Sequence, residues 1–272
     1  MKVHLVVALI HEAKPLIRRY RMVRLKGNHP YMIYTGDACM LVISGVGKIA
    51  AAGATGYLQA LSSEMGSNAW LNFGIAGHEC LEVGTGFVAH RVSDRATEIN
   101  FYPPMIFPFS CPTSDLTTVD QAENRYGREG GYDMEASGFY KTALRTATSE
   151  WVHCYKVVSD NPRQPVEQLS KIGVTELISN RTNEIESIIS MMRAEWTRYR
   201  RRVKPGRHYD KITLRWHFTD TQKRQLARLL KRWDVVFGED TSSEIKFNTY
   251  QGPKTLLADL DRRLGTRRLV IK

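Results

Sequence analysis

Gly131-Tyr132-Asp133-Met134-Glu135-Ala136-Ser137-Gly138-Phe139-Tyr140 reads as the start of a helix. Gly130 and Gly131 give a flexible entry, and Asp133 is placed to cap it. Ala136, Ser137 and Gly138 are small enough for close packing against a neighbouring element. Glu135 falls in the first turn, where the helix dipole favours an ionised carboxylate. There it can accept hydrogen bonds from two adjacent hydroxyl groups. Taken alone, Glu135 reads better as an ordinary first-turn residue.

Three more segments share this character. Val157-Val158-Ser159-Asp160-Asn161-Pro162 ends an apolar strand, Trp151 to Val158, in a carboxylate and a turn. Val3 to Ile10 is a continuous apolar run followed by Glu12, with Pro15 suited to a helix's first turn. Ala69 to Phe73 leads into Gly74-Ile75-Ala76-Gly77, whose glycines let a ligand approach the backbone closely. Four such strand ends are what an open α/β sheet presents at its ligand edge.

Composition sets the outer bounds. The chain has 272 residues, enough for one large domain and a smaller one. No apolar run approaches the ~20 residues of a membrane helix, and the apolar start is closed by His11 and Glu12 without a cleavage site. Cys39, Cys80, Cys111 and Cys154 show no metal-site spacing, so reduced thiols in a cytoplasmic setting are expected, with no membrane association. The net charge of +11 is uneven: residues 1–192 hold 18 Lys+Arg against 19 Asp+Glu, and residues 193–272 hold 21 against 9. The basic character therefore belongs to the last eighty residues.

Between these landmarks, Tyr31 to Ile43 reads as a strand pair broken at Gly36-Asp37. Ser44-Gly45-Val46-Gly47-Lys48 precedes a helix over Ile49 to Leu61, a turn that can bind an anion but lacks the spacing of a Walker loop. Thr85 to Val92 reads as a strand, and Asn100 to Phe109 as an aromatic, proline-rich loop. His78 reads as a structural histidine rather than a ligand contact. Val166 to Arg193 reads as one long helix.

Taken in order, Glu12 with its neighbours, the Ser44 to Lys48 turn with its alanine-rich helix, Met134-Glu135 and Ser159-Asp160 resemble the nucleoside phosphorylase/nucleosidase superfamily. The resemblance is greatest to its methylthioadenosine/S-adenosylhomocysteine nucleosidase branch and covers about residues 1–192. It implies a three-layer αβα domain with a central mixed sheet. It also implies cleavage of the N-glycosidic bond of an adenosine-like nucleoside. Glu12 would activate water, Asp160 would protonate the departing base and Ser159 would accompany it. Met134 and Glu135 would hold the ribose, and Ile75, Ala76 and Gly77 would line the sugar. The family usually has a serine where this chain has Ile75. The arginine and serine with which phosphorylases hold phosphate find no match here, so water is favoured as nucleophile. A phosphorylase and a non-catalytic nucleoside- or nucleic-acid-binding protein remain the alternatives. No metal or cofactor is called for, and a homo-oligomer is implied. The segment before Glu135 is short for the family, with Asp115 to Asp120 in place of the strand that normally supplies base-stacking residues.

The expected domains are residues 1–197 and a basic α/β module over 198–272, joined by the arginine-rich stretch at 198–207. In the module, Ile212 to Phe218 alternates like a strand, and a helix capped by Thr219 or Asp220 runs through Trp233. Ile245 to Tyr250 reads as a strand, Pro253 to Leu264 as a helix and Arg268 to Ile271 as a last strand. Such a surface invites nucleic-acid phosphates, though a solvated face or a packing surface is the favoured explanation of the charge.

Overall fold

A computed structural model of the chain describes residues 2–62, 69–122, 130–165, 170–203, 205–237, 245 and 249–265. The chain divides into two compact units, residues 1–198 and 199–272. The first opens with β1 (Val3–Val7), α1 (Ile10–Arg19), β2 (Val23–Arg24), β3 (Met32–Thr35), β4 (Cys39–Ile43) and α2 (Lys48–Leu61). It continues with β5 (Ala69–His78), β6 (Gly86–Asp94), β7 (Asn100–Phe101), β8 (Thr113–Thr118), β9 (Gly131–Asp133) and α3 (Ala136–Ala143). Then come β10 (Val152–Asp160), α4 (Lys171–Asn180) and α5 (Thr182–Val203).

Among the described residues the ten strands make one mixed sheet. β4, β1, β5 and β10 lie parallel, side by side. β5 also pairs with β9, β9 with β8, β8 with β6 and β6 with β10, so five strands close a ring. The C-terminal ends of β1, β5 and β10 therefore meet, which is where a parallel sheet opens a ligand crevice.

Side-chain alternation along the strands builds two cores, one on each face. Leu5, Leu71, Phe73 and Val157 pack on one face with Ala13 and Leu16 of α1, Ile178 of α4 and Ile185, Ile189 and Met192 of α5. Val6, Val42, Trp70, Ala76 and Val158 pack on the other with Ala51, Ala54 and Leu58 of α2 and Ala136, Phe139 and Tyr140 of α3. The result is the expected three-layer αβα domain. Burying a side chain such as Leu16 or Leu58 completely contributes about 1.5–3 kcal/mol. The small residues let α2 and α3 touch: a Cβ on Gly138 would lie 1.9 Å from the carbonyl oxygen of Lys48.

Several local expectations are corrected. Gly131–Asp133 is a strand, because β8 and β5 flank it and use its backbone groups. The helix begins only at Ala136, with Glu135 as its N-cap. β5 runs through Gly77 to His78, because β10 and β9 continue to pair with it. The Asp115 to Asp120 segment contributes to a true strand, β8. The long helix over Val166 to Arg193 is two helices broken at Arg181, and residues 166–169 lie outside the described ones.

In the second unit the described residues form helices α6 (Tyr209–Arg215), α7 (Asp220–Phe237) and α8 (Pro253–Gly265). Ile212, Phe218, Leu226, Leu229, Trp233, Leu256 and Leu260 share its core. Ile212 to Phe218 is thus not a strand: α6 buries Ile212 and leaves Leu214 88% exposed, so the alternation did not mark one face. Thr219 supplies the cap of α7: its hydroxyl accepts the Gln222 N–H at 3.3 Å, and the Gln222 side chain accepts the Thr219 N–H at 3.0 Å. No strand occurs in this unit among the described residues: of the strand expected over Ile245 to Tyr250, residues 246–248 lie outside them and the other three are not strand, and the last strand expected over Arg268 to Ile271 lies wholly outside them. The basic stretch expected as a linker is helical as far as Val203.

Candidate active site

The end of β1 turns through Ala8 and Leu9 into α1, which places Glu12 on the first turn. Glu12 is buried, and both carboxylate oxygens are held by backbone donors. Oε2 accepts the Leu9 N–H at 2.8 Å, and Oε1 accepts the Ile75 N–H at 2.9 Å. The side chain thereby staples the end of β1 to β5. Gly74 makes this possible, since a Cβ there would stand 2.6 Å from Oε1. Burial raises the Glu12 pKa to about 7, opposed by the Ile75 N–H and by the charge of Lys156.

Glu135 is also buried, and its Oε1 accepts the Gly47 N–H at 2.8 Å. The glycine turn before α2 thus holds a carboxyl group of the protein's own through one backbone N–H. The first-turn dipole does not decide the charge of Glu135. Burial raises its pKa, against the pull of Lys156 and with the push of Asp133. Asp133 supports α3 from outside the cap position, with Oδ2 accepting the Ala136 N–H at 2.9 Å. It also accepts the Thr118 hydroxyl at 2.8 Å and pairs with the Lys156 ammonium at 2.9 Å.

Lys156 lies in the middle of β10 and is 1% exposed. Burial works against its charge, but Asp133 and Glu135 outweigh burial and hold the ammonium above its ordinary value. At the end of the same strand a bulge falls at Ser159, between the pairs Val158–Ala76 and Asp160–Gly77. The Ser159 hydroxyl donates to Asp160 Oδ1, and both side chains are buried. Asn161 locks the turn beyond: its amide donates to the Leu81 carbonyl at 3.0 Å, and its oxygen accepts the Arg163 and Gln164 N–H groups.

These strand ends enclose a cavity of about 160 Å³. Glu12, Ile75, Ala76, Gly77, Met134, Glu135, Ser159 and Asp160 all line it. Every residue singled out from sequence as part of a site therefore reaches one cavity. Ala8, Leu9, Val46, Val119, Ala122, Tyr132 and Asp133 complete the wall. Tyr132 is its aromatic member, and the Arg95 guanidinium sits 5.3 Å from its ring centroid on a cation–π contact. Among the described lining residues none is cationic. His78 does not line this cavity. Its Nδ1 accepts the Cys80 and Leu81 N–H groups at 3.1 Å, and its Nε2 meets the Ser114 hydroxyl at 3.0 Å. Among the described residues no group of three or more His, Cys, Asp or Glu is placed to hold a metal ion.

Sequence reading missed Lys156, Asp133 as its partner, and Tyr132. A lysine within the largely apolar run from Val152 to Val158 was the available signal, because a buried charge needs a partner. Tyr132 offered no comparable signal, since only the antiparallel pairing of β9 with Gly77 carries it to the cavity.

No protein-family model matches the chain, and no curated protein matches it in sequence. Solved structures do match. The Arabidopsis thaliana 5′-methylthioadenosine nucleosidase is similar at a TM-score of 0.56 and 18% identity, over 70% of this chain and 95% of that one. The Colwellia psychrerythraea methylthioadenosine/S-adenosylhomocysteine nucleosidase, solved with adenine, matches at 0.53 and 19%, over 68% and 95%. Futalosine hydrolase of Helicobacter pylori matches at 0.55 and 12%, over 70% and 97%. Nearly the whole of each of these proteins is covered by a share of this chain about the size of its first unit. This chain thus carries a fold similar to that of these nucleosidases and of futalosine hydrolase.

Proposed function

We propose that the first unit hydrolyses the N-glycosidic bond of a purine nucleoside. The observation that carries this is the meeting of Glu12 and Asp160, from the ends of parallel strands, in one cavity beside Met134 and Glu135. The likeness in fold to nucleosidases, one of them solved with adenine, supports the same reading.

Glu12 is held by two backbone donors, and its pKa of about 7 suits a general base near neutral pH. It takes a proton from water as the water oxygen bonds to the anomeric carbon. Asp160 gives a proton to the departing base, so the base leaves neutral rather than as an anion. Glu135 accepts the ribose hydroxyls, and Met134 packs beneath the sugar. The cationic, oxocarbenium-like transition state is stabilised by a wall of carboxylates that the fold has already oriented. That wall, with no cation among its described residues, is unfavourable for a phosphate dianion, which argues for water over phosphate.

The same reading takes the protein as a cytoplasmic homo-oligomer. The four cysteines are unpaired, and no described helix is long and apolar enough to cross a membrane. Ile49 on α2 is 85% exposed, beside a cavity of about 290 Å³ also lined by Ile99 and Phe101, as suits a subunit contact.

The test is base release from methylthioadenosine, S-adenosylhomocysteine, adenosine, inosine and guanosine, with and without phosphate. Free base without phosphate is the expected result. Release only with phosphate, as sugar 1-phosphate, would remove Glu12 from its role and make the protein a phosphorylase. No release from any purine nucleoside would overturn the hydrolase reading.

A further inference from the structure

The described part of the second unit is a small helical module with its own apolar core, outside which Leu214 and Val235 stay exposed. Along α7, Leu226, Leu229, Leu230 and Trp233 are buried in its own core. At about 100° per residue, the opposite side of the helix carries Thr221, Arg224, Arg228, Lys231, Arg232 and Val235. Arg224, Arg228 and Arg232 follow one another at four-residue intervals, and all three are exposed. Among the described residues they form no ion pair. The two carboxylates of α7 stand off this row. Asp220 lies 3.6 Å from Lys223, and Asp234 is bound by the Arg207 backbone N–H at 2.9 Å. The three arginines thus follow one another about 6 Å apart along the axis and about 12 Å in all, each turned about 40° further around the helix. Its setting is a segment, residues 193–272, with 21 Lys+Arg against 9 Asp+Glu.

We propose that this face of α7 binds the phosphate backbone of double-stranded DNA without regard to sequence. Charge complementarity selects a polyanion, and the composition of the face selects among polyanions. Single strands are held on aromatic stacking platforms, and no aromatic side chain lies on this outward row. A membrane surface takes up a helix through an exposed apolar face, and the apolar face of α7 is already buried. A rigid row on a helix suits the major groove of B-form DNA, about 12 Å wide, which admits a helix, whereas the deep, narrow major groove of duplex RNA does not. Arginine presents its donors in a planar fork matched to phosphate oxygens.

Salt dependence gives the test a number. Each neutralised phosphate contributes a slope of about −0.9 to log Kobs against log salt concentration. The full-length protein is titrated against a labelled duplex of arbitrary sequence across a range of salt. Replacing Arg224, Arg228 and Arg232 together by Ala is expected to flatten the slope by about 2.7, and each single replacement by about 0.9. The three Lys variants are expected to keep most of the slope. Removing Arg18, Arg24 and Lys26 instead lowers the net charge by the same amount and is expected to leave the slope unchanged. Single replacements carry the test if the triple variant does not fold. An unchanged slope in the α7 variants, or no binding to duplex DNA, overturns the proposal. Tighter binding to single-stranded DNA, duplex RNA or anionic vesicles overturns the choice of partner. None of these readouts depends on base release, so the proposal stands or falls separately from the hydrolase.

Discussion

Replacing Gly74 by alanine tests the role of Glu12 without touching Glu12. A Cβ at position 74 would stand 2.6 Å from Oε1 and 3.2 Å from Cδ of that side chain. Ordinary contact starts at 3.4 Å, so the carboxylate must retreat by about 0.8 Å. Retreat opens the 2.9 Å bond from the Ile75 N–H, which is one of the two that hold the group. Losing that bond to a buried acceptor costs about 1–3 kcal/mol of stability. Misplacing a reacting group by about 1 Å costs on the order of 100-fold in rate. We expect Gly74→Ala to stay folded, to lose 1–3 kcal/mol in urea denaturation and to release base about 100-fold more slowly at saturating substrate. Glu12→Gln should abolish turnover, and adding Gly74→Ala to it should cost little more, because both changes strike one function. Wild-type turnover in a destabilised Gly74→Ala protein would refute the reasoning. Glu12 would then be only a staple between strand ends.

Four further predictions concern the same site. With Glu12 raised to about 7 by burial, kcat/KM should fall on the acid side of that value as the base becomes protonated. The fold binds that proton more tightly than the unfolded chain, whose reference value is 4.5. The extra stability is therefore present below that value and is lost as pH rises through about 7, amounting to about 3 kcal/mol. Denaturation of wild type and Glu12→Gln on either side of this window isolates the effect, and equal pH dependence in the two proteins would rule it out. Lys156→Met leaves Asp133 without its 2.9 Å partner and should destabilise by about 3–5 kcal/mol; a loss below about 1 kcal/mol would show that the pair is not a structural requirement. If the purine stacks on Tyr132, Tyr132→Leu should lower kcat/KM by about 10-fold, chiefly through KM, while Tyr132→Phe stays near wild type. An equal loss in both variants would point to the hydroxyl instead of the ring.

Among the candidate site residues, Glu12, Gly77 and Asp160 were legible because each stands at or near the end of a largely apolar run, whereas Met134 and Glu135 were read from a glycine-flanked turn. Glu12 follows β1, Gly77 lies near the end of β5 and Asp160 closes β10, and a buried parallel strand announces itself by continuous hydrophobicity. The resemblance in order of motifs then placed them at one edge, and the cavity gathers all of them. What failed was short. Gly131–Asp133 spans three residues and Ile212 to Phe218 seven, too few for a period to decide between strand and helix. In both cases a neighbouring element decided: β8 and β5 recruit the first, and the core around α7 recruits the second.

By itself, then, the sequence implied the αβα class of the first unit through the resemblance that its ordered motifs carry, and its segments alone determined the apolar strand ends, the order of the candidate site residues and the concentration of positive charge in the last eighty residues. These are properties of local pattern and composition, which each segment carries wherever it folds. Only the tertiary structure decided the protonation chemistry. Glu12 and Glu135 are pushed up by burial, Lys156 is kept charged by Asp133 and Glu135, and Gly47 offers its N–H to Glu135. The residues in each of these contacts, apart from Asp133 and Glu135, are far apart in the chain. Both the loss of solvent and the approach of a partner charge exist only once the strand ends have met.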